Sequence, residues 1–254
     1  MVTKIAQITD THLFADPDTL MRGVAPWHSL KAILERVKLE NPDAILLTGD
    51  LAENGDAKAY DRLFDLVSPL QIPTYCIPGN HDRVDLLKTH LNRSPLFTTP
   101  NALTFDNWRF ILLDSTMENP KFGEGCLSEQ TLAALETTLN TSNVPTAIAL
   151  HHHPVETGID WLDTIDLINT TDFLAILDRV DCVKLVVFGH VHLEIDRTWG
   201  DVRFYGTPST CTQVLPENPS QSDRYPGFRW LELYPDGSHR SRVVRVPLES
   251  GESP

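Results

Sequence analysis

The chain has no cysteine pair at Cys-x-x-Cys spacing. Its four cysteines, Cys76, Cys126, Cys182 and Cys211, lie far apart, which argues against a zinc knuckle or a dithiol redox motif and leaves reduced, mostly buried thiols as the expectation. Long hydrophobic runs are also missing. The longest apolar stretches are strand-sized, so no membrane span is expected. The N-terminus passes from Lys4 to Gln7 and Asp10 without the apolar segment of a signal peptide, which makes a soluble cytoplasmic protein the expectation. Positive charge is scarce. Twenty-one Lys and Arg face thirty-five Asp and Glu, a formal charge of -14, so a long polyanion such as DNA would be repelled. The one arginine-rich run, Arg240, Arg242 and Arg245, alternates with Ser241, Val243, Val244 and Val246 and reads as a solvated strand face. Neither a nucleic-acid polymer nor a membrane is therefore expected as a partner.

There is ample material for a core. With 254 residues and 41% hydrophobic content, the chain suits one domain over residues 1–247, followed by a flexible tail at 248–254. No repeat, low-complexity segment or Pro/Gly/Ser linker divides it. Apolar runs predict strands at Ile5–Ile8, Ala44–Leu47, Ala147–Leu150 and Lys184–Phe188, and a hairpin joins Leu103–Phe105 to Phe110–Leu113 through Asp106-Asn107. Helical periodicity predicts helices at Ser29–Leu39, Ala57–Val67, Ser128–Leu139 with Ser128 as its cap, and Asp172–Leu177. The opening is thus a βαβαβ unit. Gly200-Asp201 and Asp236-Gly237 read as hairpin turns, so the last third is expected to end as an antiparallel meander. The stretch from Pro216 to Pro226 reads as loosely structured.

Five short segments share one chemistry: Asp10-Thr11-His12, Gly49-Asp50, Gly79-Asn80-His81-Asp82, His151-His152-His153-Pro154 and Gly189-His190-Val191-His192. Each follows an apolar run, so the polar residues can gather at one sheet edge, where open α/β sheets bind ligands. Taken singly they are weak signals, because Asp50 could be a helix cap and Asn80 a turn former. Together they match the needs of two divalent cations roughly 3.5–4 Å apart, namely a bridging carboxylate, neutral nitrogen donors and open positions for water and substrate. Asp50 is the natural bridge. In Asp10-x-His12 and His190-x-His192, residues i and i+2 share one face of an extended segment and can converge on an ion. Two carboxylates leave a pair of dications net positive, which favours a phosphate. The mixed oxygen and imidazole donors suit manganese, iron or zinc better than calcium.

This ordered set resembles the calcineurin-like metallophosphoesterase superfamily. The runs Ile8-Thr9-Asp10-Thr11-His12-Leu13-Phe14, His151-His152-His153-Pro154, Trp161-Leu162-Asp163 and Pro208-Ser209-Thr210-Cys211 are similar to the bacterial class III cyclic-nucleotide phosphodiesterases, from about Lys4 to Val246. The resemblance implies an α/β metallo-dependent phosphatase fold, a four-layer αββα sandwich of two mixed sheets. It implies one ion on Asp10, His12, Asp50 and His192 and the other on Asp50, Asn80, His152 and His190. His152 is chosen by aligning on Pro154, with His151 left as the other choice. The activity implied is hydrolysis of 3′,5′-cyclic nucleotides, cyclic AMP preferred, to nucleoside 5′-monophosphates through a hydroxide held between the ions. Iron or manganese is the expected metal and zinc the third choice. His81 is the expected proton donor to the leaving oxygen, with Asp82 orienting it or else supporting the metal loop. Asn80, His81 and Arg22 are the expected substrate contacts, and Trp27 and Trp161 are open as base-stacking or core residues. The walls of the site are sought in Leu13–Trp27 and Thr207–Tyr225. A broad phosphodiesterase or phosphomonoesterase is the alternative, and a non-catalytic metal-stabilised binding domain ranks last. Whether the chain forms a homodimer stays open.

Overall fold

The computed structural model describes residues 1–248. The expected tail lies, apart from Leu248, outside the described residues. Its elements in chain order are β1 (Thr3–Ile8), α1 (Pro26–Glu40), β2 (Ala44–Thr48), α2 (Ala57–Val67), β3 (Thr74–Ile77), α3 (Val84–Leu91), β4 (Phe97–Thr98), β5 (Ala102–Phe105) and β6 (Trp108–Leu112). They continue with α4 (Glu129–Leu139), β7 (Thr146–Leu150), α5 (Thr170–Leu177), β8 (Val183–Phe188), β9 (Ile195–Trp199), β10 (Val202–Gly206), β11 (Gly227–Leu233) and β12 (His239–Arg245).

Two six-stranded sheets form, in the orders β12-β11-β1-β2-β3-β4 and β5-β6-β7-β8-β10-β9. Strands β1 to β4 run parallel, as do β6, β7, β8 and β10, whereas β11, β12, β5 and β9 join their neighbours antiparallel. The central strands are covered on both faces, which is why their sequences read as unbroken apolar runs. Successive residues serve different layers. Ile45 and Leu47 pack with α1, α2 and α3, while Leu46 between them meets Ala147, Ala149, Leu185 and Val187 of the other sheet. Ile148 and Leu150 point the opposite way, toward α4 and α5. The result is a four-layer αββα sandwich.

Local chemistry explains the helix ends. Leu30, Ile33, Leu34 and Val37 give α1 one buried face. Pro26 starts it three residues before the expected Ser29, since proline's fixed φ suits a first turn and its missing N–H costs nothing there. Asn41, left-handed at φ 54°, ends it. Ser128 caps α4 by accepting the Thr131 N–H at 3.0 Å.

The antiparallel meander expected for the last third is corrected. Its two hairpins enter different sheets: β10 lies parallel to β8 in the second, while β11 adds antiparallel to β1 in the first. Hydrogen-bonded turns specify a hairpin but not the strand on which it docks, and that choice is made at the outer edges of β10 and β11, which pair with β8 and β1. Arg229 on β11 spans the junction. It is 2% exposed and donates to the Gly206 carbonyl at 2.6 Å, Ser241 Oγ at 2.6 Å and Thr207 Oγ1 at 3.2 Å, and burial pulls its guanidinium down to about 10. Thr207 donates in turn to Gln7 Oε1, and Gln7 donates to Thr48 Oγ1 and the Phe188 carbonyl. This chain of buried donors ties both sheets together beneath the strand ends, with each polar group partnered.

Candidate metal centre

The C-terminal ends of β1, β2, β3, β7 and β8 meet at one edge of the sandwich, and all five sequence segments lie there. Asp10, His12, Asp50, His190 and His192 adopt φ between 45° and 69°, a left-handed backbone that non-glycine residues take rarely and mostly at functional sites. The neighbouring glycines are required by close approach. A methyl group on Gly189 would strike the side chains of Thr9 and Asp10, and one on Gly79 would strike the Asp50 carboxylate. The Gly-Asp, Gly-Asn and Gly-His pairs of the sequence are thus one feature repeated, a bare turn with a donor beside it.

The donors form two groups that share Asp50. In the first, His192 Nε2 lies 3.2 Å from Asp10 Oδ1 and 3.1 Å from His12 Nε2, and His12 Nε2 lies 3.9 Å from both Asp10 Oδ1 and Asp50 Oδ2. In the second, His151 Nε2 lies 3.3 Å from Asp50 Oδ2 and 3.2 Å from Asn80 Oδ1, with the His190 ring centred 5.1 Å from that of His151. Ligands roughly 2.0–2.2 Å from one ion stand about 3–4 Å from each other, so these spacings fit shared coordination.

The outer ring nitrogens are already engaged. His12 Nδ1 meets Glu53 Oε2 at 2.6 Å, His151 Nδ1 donates to the Thr48 carbonyl at 2.7 Å, His192 Nδ1 to the Thr212 carbonyl at 2.8 Å and His190 Nε2 to the Ile165 carbonyl at 2.9 Å. Such contacts fix each tautomer and aim the other nitrogen's lone pair inward. The inward pair on His12 and His192 then faces itself at 3.1 Å, an arrangement that a cation between them relieves. The residues present therefore fit the group, and the donor set is that of a divalent-metal site.

Two expectations change. It is His151, not His152, whose Nε2 contacts Asp50 and Asn80; His152 pairs its Nδ1 with Ser115 Oγ at 2.8 Å and keeps its buried Nε2 in one donor group with His151 and His190. The Asp50 and Asn80 contacts expected of His152 are thus made by His151. Asp82 does not orient His81. It accepts from the N–H groups of Leu51, Ala52 and Gly79 and from the Tyr60 hydroxyl, at 2.9–3.1 Å, and so ties together the loops carrying Asp50 and Asn80. Burial and the charge of Asp50 push its carboxyl up to about 6 against those donors. Glu53, missed in the sequence, contacts His81 instead: its carbonyl accepts from His81 Nδ1 at 2.9 Å and its carboxylate lies 3.4 Å away. The only sequence signal for Glu53 is its place three residues beyond Asp50.

Burial penalises charge on Asp50, yet His151, His12 and His81 around it hold its carboxyl well below the usual range. His153 is buried with its ring stacked on that of His190 at 5.7 Å between centroids and its Nε2 3.8 Å from the Asp163 carboxylate, and burial pushes it down to about 4.

Above the donors is a pocket of about 210 Å³ whose lining includes Asp50, Asn80, His81, Arg22, Phe122 and Trp161. Trp27 lies elsewhere, packed against the core beneath α1. Of the two expected wall segments, the first supplies Met21 and Arg22 and the second only Val214. The Pro208-Ser209-Thr210-Cys211 run lies below the site, where Ser209 Oγ donates to the Asp10 carbonyl at 2.7 Å.

Comparison with known proteins agrees with this geometry. Residues 3–194 match the sequence pattern of the calcineurin-like phosphoesterases. The chain is 38% identical over 248 residues to a 3′,5′-cyclic-nucleotide phosphodiesterase of Nostoc sp., covering 96% of this chain and 92% of that one. It is 34% identical to the 3′,5′-cyclic adenosine monophosphate phosphodiesterase of Haemophilus influenzae, covering 96% and 90%. Its fold is similar to that of a dimetal phosphatase from Danio rerio, with a TM-score of 0.65 at 17% identity over 96% of this chain and 99% of that one.

Proposed function

The chain belongs to the calcineurin-like phosphoesterase family, and from that premise we propose that it hydrolyses 3′,5′-cyclic nucleotides, cyclic AMP first among them, to nucleoside 5′-monophosphates. The carrying observation is the position of the Asp50 carboxylate between two His/Asp groups at the floor of a pocket open to solvent. Relatives bearing that activity in their names align over nearly the whole chain.

In this reading Asp10, His12, Asp50 and His192 hold one divalent ion, and Asp50, Asn80, His151 and His190 hold a second. Iron or manganese suits the mixed donors best, with zinc as the third choice. When bound, the ions supply electrophilic polarisation of the phosphoryl oxygens and activation of a water. Asp10 and Asp50 contribute only two negative charges, so the floor stays attractive to a phosphodiester. His81 hydrogen-bonds the Glu53 carbonyl through Nδ1, which leaves Nε2 toward the pocket to give a proton to the 3′ oxygen as its bond to phosphorus breaks. Arg22 lines the pocket and meets a phosphoryl oxygen, and Asn80 orients the ester. We place the enzyme in the cytoplasm, where its four free cysteines stay reduced.

The test is an assay of protein loaded with manganese or iron against cyclic AMP, cyclic GMP, a 2′,3′-cyclic nucleotide, a bis-aryl phosphodiester and a phosphomonoester, with Asp50→Ala as the control. Turnover of the 3′,5′-cyclic nucleotides ahead of the others, lost in Asp50→Ala, is expected. Equal rates on all five would replace this reading with a broad esterase, and no hydrolysis at all would end it.

A further inference from the structure

The pocket is too small for the substrate it serves. Its volume of about 210 Å³ falls below the roughly 300–1,000 Å³ of cavities that enclose drug-sized ligands. A cyclic nucleotide with its phosphate at Asp50 and Asn80 must therefore leave its base at the mouth.

Two aromatic side chains stand at that mouth, and both are exposed. Phe122 is 80% exposed and Trp161 54%, although Trp108, Phe110, Phe173 and Phe204 show that the core takes large rings readily. They sit on the loops that follow β6 and β7. Neither loop is loosely attached. The Glu124 carboxylate accepts the N–H groups of Lys121 and Phe122, both at 2.8 Å, and Gly123 lies so near Asn80 that an added Cβ would come 3.1 Å from Nδ2. On the second loop, Asp163 accepts from Thr157 and Gly158, while the Ile165 carbonyl receives His190 Nε2. The loops also hold each other, through Gly125 N–H to the Asp166 carbonyl at 3.0 Å and Ile168 N–H to the Gly125 carbonyl at 2.9 Å. Two apolar rings are thus kept in water by backbone contacts that run directly to the donor residues. Ordering them costs little when a ligand arrives, since the loops are already set.

We propose that Phe122 and Trp161 form an aromatic grip for the nucleobase, which stacks at the mouth while the phosphodiester lies on the floor. The inference rests on the cyclic-nucleotide reading above. Stacking uses the face of a base and tolerates its edge pattern, so the grip holds adenine and guanine alike and is not the source of the preference for cyclic AMP.

The test compares Phe122→Ala and Trp161→Ala with the parent metal-loaded enzyme, on cyclic AMP, cyclic GMP and a ribose 3′,5′-cyclic phosphate carrying hydrogen in place of the base. Each variant should raise KM for both nucleotides roughly tenfold, and kcat/KM for the nucleotides should fall by the same factor relative to the base-free ester. Phe122→Tyr and Trp161→Phe should recover most of it. A phosphorothioate analogue of cyclic AMP should quench tryptophan fluorescence in the parent and much less in Trp161→Phe. Unchanged KM in both alanine variants, or an equal loss on the base-free ester, overturns the grip while leaving the phosphodiesterase intact. A parent enzyme that cleaves the base-free ester but no cyclic nucleotide overturns both readings.

Discussion

Asp50 and Trp161 line the same pocket, yet one is 2% exposed and the other 54%, and they are held by different means. The floor sits on left-handed backbone turns at the ends of strands from both sheets, and every imidazole facing it has its outer nitrogen engaged. The mouth consists of apolar side chains on loops anchored by Glu124 and Asp163. The difference teaches where tolerance lies. A donor displaced by a fraction of an ångström loses an ion, whereas a ring at the mouth can be exchanged for another ring. One floor can therefore serve many esters through changes in its loops.

The comparison can be broken most severely within the histidine triplet. His151→Ala should abolish binding of one ion, measured as metal content by mass spectrometry, and lower turnover by about three orders of magnitude or more. His152→Ala should keep both ions. The reverse pattern would return the ligand role to His152. Next in size, His81→Ala should reduce kcat by roughly two to four orders of magnitude with metal content unchanged, and loss of metal in that variant would move His81 from proton transfer to the support of the floor. Smaller still, Glu53→Gln should weaken metal binding by roughly 10–100-fold in a chelator competition, because His12 loses the carboxylate that fixes its tautomer. An affinity equal to the parent's would make Glu53 a bystander. The roughly tenfold effect at Phe122 and Trp161 is the smallest, as a mouth that selects without reacting requires.

The parallel strands and most helices were legible because each has a local cause: apolar runs for strands covered on both faces, the Leu30-Ile33-Leu34-Val37 stripe for α1, and Ser128 for the start of α4. Helix α3 and the two-residue β4 are not marked in the sequence, and β4 exists only through its pairing with β3. The two late hairpins are visible as turns but not as members of different sheets, since β11 takes its partner β1 from the far end of the chain while β10 stays beside β8, the strand that precedes its hairpin. Glu53 shows the same limit within the site. It meets His12 across 41 positions, and no local pattern marks it. The histidine triplet was ambiguous because neighbours one residue apart differ only in what their rings reach, and that is set by what packs behind them, here Ser115.

The sequence by itself determined the donor types, their order and their glycine-marked turns, because a divalent ion demands particular atoms and a crowded turn demands a missing Cβ. The tertiary structure decided which of three adjacent histidines turns to Asp50, what Asp82 and Glu53 touch, and which aromatic rings border the pocket. Those are matters of distance between strands and loops remote in the chain, and they come into being only when the two sheets pack.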